Sequence, residues 1–333
     1  MKTVSMDKIQ DTFGRNINYL RLSVTDRCDF RCTYCMAEKM QFLPRSEILS
    51  LEECLQVAKI FVGLGVEKIR LTGGEPLTRK DLPWLAARIR ELDGLRELTL
   101  TTNGSQLTQF AQPLAQSGID RINISLDSLD AETFRRITRT GNLHQVLSGI
   151  DAAIDAWGSR SVKLNTVVIR NVNHDETVNL AQFALSRGID ISFIEQMPLG
   201  GMDYHHADSY CSNVEVLALL GKHFELIPSL ESSGGPARYW RVAGFDSRIG
   251  FISPHSNNFC SDCNRMRVTA RGELFPCLGN EGMVELLPAV RAGDEYRLRE
   301  LIAQAATLKP EAHTFDISRS EPAIVRFMSR TGG

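Results

Sequence analysis

A chain of 333 residues has room for two domains, or for one large α/β barrel with an appendage. Its 43% hydrophobic and 23% charged residues are a globular balance that excludes wholesale disorder. With 38 basic against 40 acidic residues the net charge is -2, which argues against non-specific nucleic-acid binding. The longest apolar stretch, near Ile60–Val66, is too short to span a bilayer, and MKTVSMDKIQ lacks the apolar core of a signal peptide. The expectation is a cytoplasmic protein with neither a membrane nor a nucleic-acid partner.

In chain order, NYLRLSV, VEKIRLTG, RELTLTTN, IDRINISLD, SVKLNTVVI and IDISFIEQM read as strands, each short, rich in Val, Ile, Leu or Thr, and expected to be buried on both faces. Between them lie helical patterns. LSLEECLQVAKIFVGLG opens with Ser50 as N-cap and Glu53 three residues on, LPWLAARIREL follows, and a third runs from Asn142 to Trp157. Such alternation predicts a parallel α/β sheet with right-handed crossovers, a partial (β/α)6 TIM-like barrel over residues 1–200.

After Met197 the pattern changes. GGMDYHHADSYC reads as a loop, Val214–His223 as a helix, and RYWRV and RIGFIS as strands. NRMRVTARGELFPC predicts a hairpin turning near Arg271-Gly272, and VELLPAVRAG and DEYRLRELIAQAATL predict helices. Residues 201–333 are therefore expected to form an antiparallel β plus helix module that closes the barrel mouth, with a soft boundary between Gly200 and Gly235.

Six of the eight cysteines are clustered. In a reducing compartment they read as metal or redox groups, while Cys54 and Cys211 read as buried thiols. Cys28, Cys32 and Cys35 (C-x3-C-x2-C) follow the first strand, at the sheet end where α/β folds carry their chemistry. Cys260, Cys263 and Cys277 (C-x2-C-x13-C) form the second group. Three thiolates fall one short of a closed tetrahedral site. The spacing leaves two readings: zinc with a distant fourth ligand, such as His255 for the second group, or a [4Fe-4S] cluster with one open iron. The repeated deficit favours two clusters.

Arg265 and Arg267 alternate onto one strand face beside the second group, where two guanidiniums suit an anionic or carbonyl-rich ligand. Arg21, Arg70 and Lys163 lie within predicted strands. Buried charge is costly unless paired, so they suit an enclosed polyanion or else snorkel at strand ends. No G-x4-G-K-[ST] phosphate loop is present.

C-x3-C-x2-C with Tyr34 before its third cysteine, followed by Thr72-Gly73-Gly74-Glu75-Pro76, resembles the radical S-adenosylmethionine superfamily. Together with TTNG, INISLDSLD, VKLNTVV, FIEQM, CSDCNRMRV and a final Gly-Gly, the chain resembles the GTP 3′,8-cyclase family of molybdenum-cofactor biosynthesis. That resemblance implies a lyase with two [4Fe-4S] clusters and S-adenosyl-L-methionine, acting on GTP. An adenosyl radical would take hydrogen from ribose C3′, and C3′ would then attack guanine C8. It puts the cluster ligands at Cys28, Cys32, Cys35, Cys260, Cys263 and Cys277, and cofactor contacts at Tyr34, Gly74, Ser125 and Met197. Substrate contacts fall on Arg21, Arg70, Thr101, Lys163, Arg265, Met266 and Arg267, with no acid-base pair required.

The two glycines of the GGEP segment are expected to let backbone approach the ligand, with Glu75 near its ammonium group. A flavodoxin-type or ferredoxin-type electron donor, the next enzyme of the pathway and a homodimer are partners compatible with the resemblance. Gly332-Gly333 would reach into the active site, with Arg326 and Arg330 adding charge near the phosphates. A radical enzyme with a peptide substrate and a zinc-stabilised interaction protein are the alternatives.

Overall fold

The computed structural model describes residues 8–200, 206–231, 233–319, 322 and 324–332. All six barrel strands form where the pattern predicts them: β1 (Tyr19–Ser23), β2 (Lys68–Thr72), β3 (Glu97–Thr102), β4 (Arg121–Ser125), β5 (Val162–Val168) and β6 (Asp190–Glu195). They lie side by side in sequence order and pair in parallel throughout. Helices Leu51–Gly63, Leu82–Arg90, Leu107–Gln116, Leu143–Trp157 and Thr177–Ser186 fall between or after them and contribute buried apolar residues to one continuous core. The first of these helices starts as its sequence dictates. Glu53 N–H donates to Ser50 Oγ at 3.1 Å while Ser50 N–H donates to the Glu53 carboxylate at 2.7 Å.

Burial on both faces holds for β2, whose five residues are all buried. It does not hold for β4 and β5, which alternate between buried and half-buried. Their apolar residues, such as Ile122, Ile124 and Leu164, join the core, while Ser125, Asn165 and Val167 line an interior cavity.

The remaining strands are β7 (Leu226–Pro228), β8 (Arg238–Val242), β9 (Arg248–Ile252), β10 (Arg265–Val268), β11 (Glu273–Phe275) and β12 (Val284–Glu285). They extend the barrel sheet at both edges instead of stacking on it as a separate layer. The order is β12-β11-β10-β1-β2-β3-β4-β5-β6-β9-β8-β7. β9 joins β6 and β10 joins β1, both in parallel, so neither terminal barrel strand is left as an open edge. The predicted hairpin is present, with Arg267 opposite Phe275 and Gly272 at φ +80° in its turn.

Two local expectations change. Val284–Glu285 pairs with β11 as a strand, and the helix in that segment begins only at Leu287 with Pro288 in its first turn. Of the predicted loop after Met197, residues 201–205 lie outside the described residues, and His206–Ser209 form a helical turn. Among the described residues no helix is long and apolar enough to cross a membrane.

Candidate active site

The loop after β1 carries Cys28, Cys32 and Cys35, and the loop after β2 packs directly on it. Gly74 N–H donates to the Thr25 carbonyl at 2.8 Å, and Glu75 N–H to the Arg27 carbonyl at 2.7 Å. A Cβ on Gly74 would overlap the Arg27 carbonyl, and one on Gly73 would stand 2.7 Å from the Thr25 carbonyl oxygen. The glycines therefore serve close approach to the cysteine-loop backbone, and both also line the cavity described below.

Glu75 is fully enclosed. It accepts from Leu77 N–H (3.0 Å), Thr102 Oγ1 (2.7 Å) and Asn103 N–H (2.6 Å), yet burial outweighs these bonds and raises its pKa to about 8. Tyr34 donates its hydroxyl to Asp127 at 2.6 Å, and Asp127 also accepts from Val167 N–H at 2.9 Å. Burial lifts Asp127 to about 6 and Cys35 to about 12. Burial likewise pushes up Cys28, with Glu75 adding to the effect, and Cys32, with Cys35 and Asp127 adding.

The second cysteine group faces the first across one cavity of about 280 Å³. Cys28, Cys32, Cys35, Cys260, Cys263 and Cys277 all line it. Tyr34, Gly74, Ser125 and Met197 line it too, as do Arg21, Thr101, Arg265 and Arg267. Parallel register sets Arg21 level with Arg70 on one side and with Arg267 on the other. Burial and the neighbouring Arg70 and Arg265 lower the Arg21 pKa to about 10, despite an opposing contribution from Tyr19. Burial and the charges of Arg21 and Arg265 also hold Arg267 well down. The wall is thus built of mutually repelling cations, which an anion would relieve.

Arg70 and Lys163 stand just behind that wall. Arg70 donates to the Tyr19 hydroxyl at 2.6 Å and to Thr101 Oγ1 at 2.9 Å, and Lys163 to the Tyr239 hydroxyl at 2.6 Å. Among the described residues neither forms an ion pair, so their charge is solvated only by hydroxyls and carbonyls. Burial pushes Tyr19 up, but Arg70, Arg21 and Lys68 outweigh it and bring that phenol to about 7.

Met266 departs from expectation. Strand alternation between Arg265 and Arg267 turns its side chain into the core, fully buried, so that side chain is no substrate contact. Arg326 and Arg330 differ too. They pair with Glu281 and Glu273, both at 2.5 Å, and neither lines the cavity. His255 sets its Nε2 3.1 Å from the Gln196 carbonyl. Gly332 packs against Thr72, a residue of the cavity wall, without itself lining the cavity, while Gly333 lies outside the described residues.

The donor set fits iron–sulfur clusters. Each triad offers soft thiols half-exposed to the cavity. A backbone amide already points at one sulfur, Phe30 N–H donating to Cys28 Sγ at 3.4 Å, and the Ser329 backbone opposes the rise of the Cys35 thiol. Among the described residues no three His, Cys, Asp or Glu side chains converge as ligands of one ion. Thiolates spread around a space suit a multi-iron core better than a single tetrahedral zinc.

The sequence matches the Radical SAM superfamily over residues 22–184 and Molybdenum Cofactor Synthesis C over residues 189–315. It is 58% identical to the GTP 3′,8-cyclase of Pseudomonas entomophila (strain L48) over 327 residues, covering 97% of each chain. The chain belongs to the GTP 3′,8-cyclase family. The family's enzyme from Marinobacter nauticus is 55% identical, over 98% of this chain and 99% of its own. The crystal structure of Streptococcus suis SuiB bound to S-adenosylmethionine shares the fold. It matches with a TM-score of 0.62 at 16% identity, over 81% of this chain and 63% of that one.

Residue-level reading of this GTP 3′,8-cyclase family member missed Asp127, Asn103 and Tyr19. Asp127 sits two residues beyond Ser125 in INISLDSLD, a motif already singled out, and only the fold brings it to Tyr34. Asn103 donates through Nδ2 to Asp29 at 2.7 Å, tying the loop after β3 to the first cysteine loop.

Proposed function

We propose that the chain converts GTP to (8S)-3′,8-cyclo-7,8-dihydroguanosine 5′-triphosphate, the first step of molybdopterin biosynthesis. The observation that carries this reading is one cavity lined by two cysteine triads, with Arg21, Arg265 and Arg267 on its wall. When bound, a reduced [4Fe-4S] cluster and S-adenosyl-L-methionine supply the one-electron chemistry that removes hydrogen from ribose C3′, after which C3′ bonds to guanine C8.

The chain's own residues bind, orient and shield. In this reading Cys28, Cys32 and Cys35 hold the first cluster, and Tyr34, Gly74, Ser125 and Met197 border the cofactor. Cys260, Cys263 and Cys277 hold the second cluster. Arg21, Arg70, Thr101 and Lys163 take the triphosphate, whose negative charge offsets that of the clustered cations, and Arg265 and Arg267 flank the base end. Residues 1–200 generate the radical and hold the triphosphate, and residues 201–333 bind the second cluster and the guanine base. A flavodoxin-type or ferredoxin-type donor, transfer of product to the next enzyme, a homodimer and a cytoplasmic location complete the proposal.

The test is anaerobic incubation of reconstituted protein with GTP, a low-potential reductant and S-adenosylmethionine, followed by mass analysis. Cyclised GTP together with 5′-deoxyadenosine is the expected result. Formation of 5′-deoxyadenosine with unaltered GTP would overturn the substrate assignment.

A further inference from the structure

Each cysteine of the second group is gripped by a different buried cation. Arg15 donates through Nη1 to the Cys260 carbonyl at 2.7 Å and to the Glu311 carbonyl at 2.8 Å, and through Nη2 to the Pro310 carbonyl at 2.6 Å. Lys309 donates through Nζ to Cys263 Sγ at 3.4 Å and to the carbonyls of Arg265 (2.9 Å) and Pro276 (2.7 Å). Arg326 donates to the Cys277 carbonyl at 3.3 Å and to the Leu278 carbonyl, with its guanidinium 4.3 Å from the Phe275 ring centroid. Segments far apart in sequence thus converge on one loop system.

The three cations are not equivalent. Arg15 is paired with Asp11 at 2.5 Å and Arg326 with Glu281 at 2.5 Å, so each brings little net charge. Lys309 is 2% exposed, its acceptors are one sulfur and two carbonyls, and it forms no ion pair among the described residues. An ammonium left so in a protein interior is costly unless an anion offsets it. The anion within reach is the sulfur of Cys263, and anything bound to that sulfur shares in the offset.

We propose that Lys309 is a positioning residue for the second cluster. Flanked by Arg15 and Arg326 it holds the three cysteines in place, and its unpaired charge makes the cluster they bind easier to reduce. The inference rests on the reading that Cys260, Cys263 and Cys277 bind a cluster. Thiolate ligation leaves such a cluster anionic, and reduction adds one electron from an external low-potential donor with no bond made or broken. A fixed positive charge at a ligating sulfur stabilises the more negative, reduced form more strongly.

The experiment compares full-length Lys309→Met and Lys309→Arg proteins, each also carrying Cys28→Ala, Cys32→Ala and Cys35→Ala so that only the second cluster forms. Iron content and the midpoint potential from EPR-monitored titration are read. Lys309→Met is expected to shift the midpoint to more negative values, and Lys309→Arg, which keeps the charge, to restore it toward that of the Lys309 protein. An unchanged midpoint in Lys309→Met at full iron loading overturns the proposal.

If Lys309→Met fails to take up iron, thermal unfolding of the cluster-free proteins decides. An unchanged Tm supports a role confined to the cysteines, whereas a lowered Tm reduces Lys309 to ordinary packing and overturns it. Failure of the underlying reading is distinguishable. Protein with Lys309 and all six clustered cysteines intact would then hold about four irons instead of about eight, the total for two cubanes.

Discussion

Arg267 donates from Nη1 to the carbonyl oxygen of Gly332 at 2.7 Å. The strand that follows the second cysteine pair thereby fixes the segment whose Ser329 backbone opposes the rise of the Cys35 thiol in the first group. One short stretch of chain bridges the two cysteine triads, and Met328 within it lines the cavity between them.

Gly332 has φ +77°, and a Cβ there would overlap the Thr72 hydroxyl. Gly332→Val is expected to leave S-adenosylmethionine cleavage intact and to lower cyclised product per 5′-deoxyadenosine. The loss should be at least about tenfold, since misplacement by about 1 Å can cost roughly a hundredfold. The product to 5′-deoxyadenosine ratio under anaerobic turnover measures it, and an unchanged ratio would detach Gly332 from substrate positioning.

The two triads should separate cleanly by mutation. Cys28→Ala, Cys32→Ala or Cys35→Ala should abolish formation of 5′-deoxyadenosine. Cys260→Ala, Cys263→Ala or Cys277→Ala should leave it detectable while cyclisation fails. In each case bound iron should fall from about eight to about four per chain. Within the second group Arg265 and Lys309 outweigh the upward push of burial and bring the Cys263 thiol to about 6, whereas burial raises Cys277.

Glu75 makes stability depend on pH in a definite direction. Its folded value of about 8 lies above the ordinary 4.5, so between those values the folded chain retains a proton that the unfolded chain has released. The stability it contributes is therefore full below about 4.5 and lost as the pH rises through about 8. Urea unfolding of the cluster-free protein should give a midpoint that falls from pH 5 to pH 8. Glu75→Gln should flatten part of that slope, and identical slopes in the two proteins would contradict the assignment.

Tyr34→Phe removes the hydroxyl that donates to Asp127 at 2.6 Å. Asp127, itself buried, keeps the Val167 amide but loses its side-chain donor. Loss of that bond is expected to destabilise the cluster-free protein by about 1–3 kcal/mol. Paired denaturation curves of Tyr34→Phe, Asp127→Asn and the double variant measure it. Fully additive effects would mean that the two side chains are not coupled.

The six barrel strands, their parallel order and the first helix cap were legible in the sequence because each rests on local signals. Short Val, Ile and Leu runs are punctuated by helical periodicity, and Ser50 stands three residues before Glu53. Cysteine spacing was legible for the same reason, since a loop of eight residues brings its own ligands together. What no local signal contains is the partner of an edge. β10 reads as half of a hairpin, yet it also pairs in parallel with β1, and that pairing sets Arg267 level with Arg21 and brings the second triad to the mouth of the first. Backbone hydrogen bonding at an open strand edge is indifferent to sequence, so only packing of the whole chain selects which strand docks there. The same holds for Lys309 and Arg15, which no local signal marks, and for Arg326, which was expected near the phosphates instead. Burial against distant carbonyls and a cysteine sulfur, a property of the tertiary structure alone, is what gives their charge consequence.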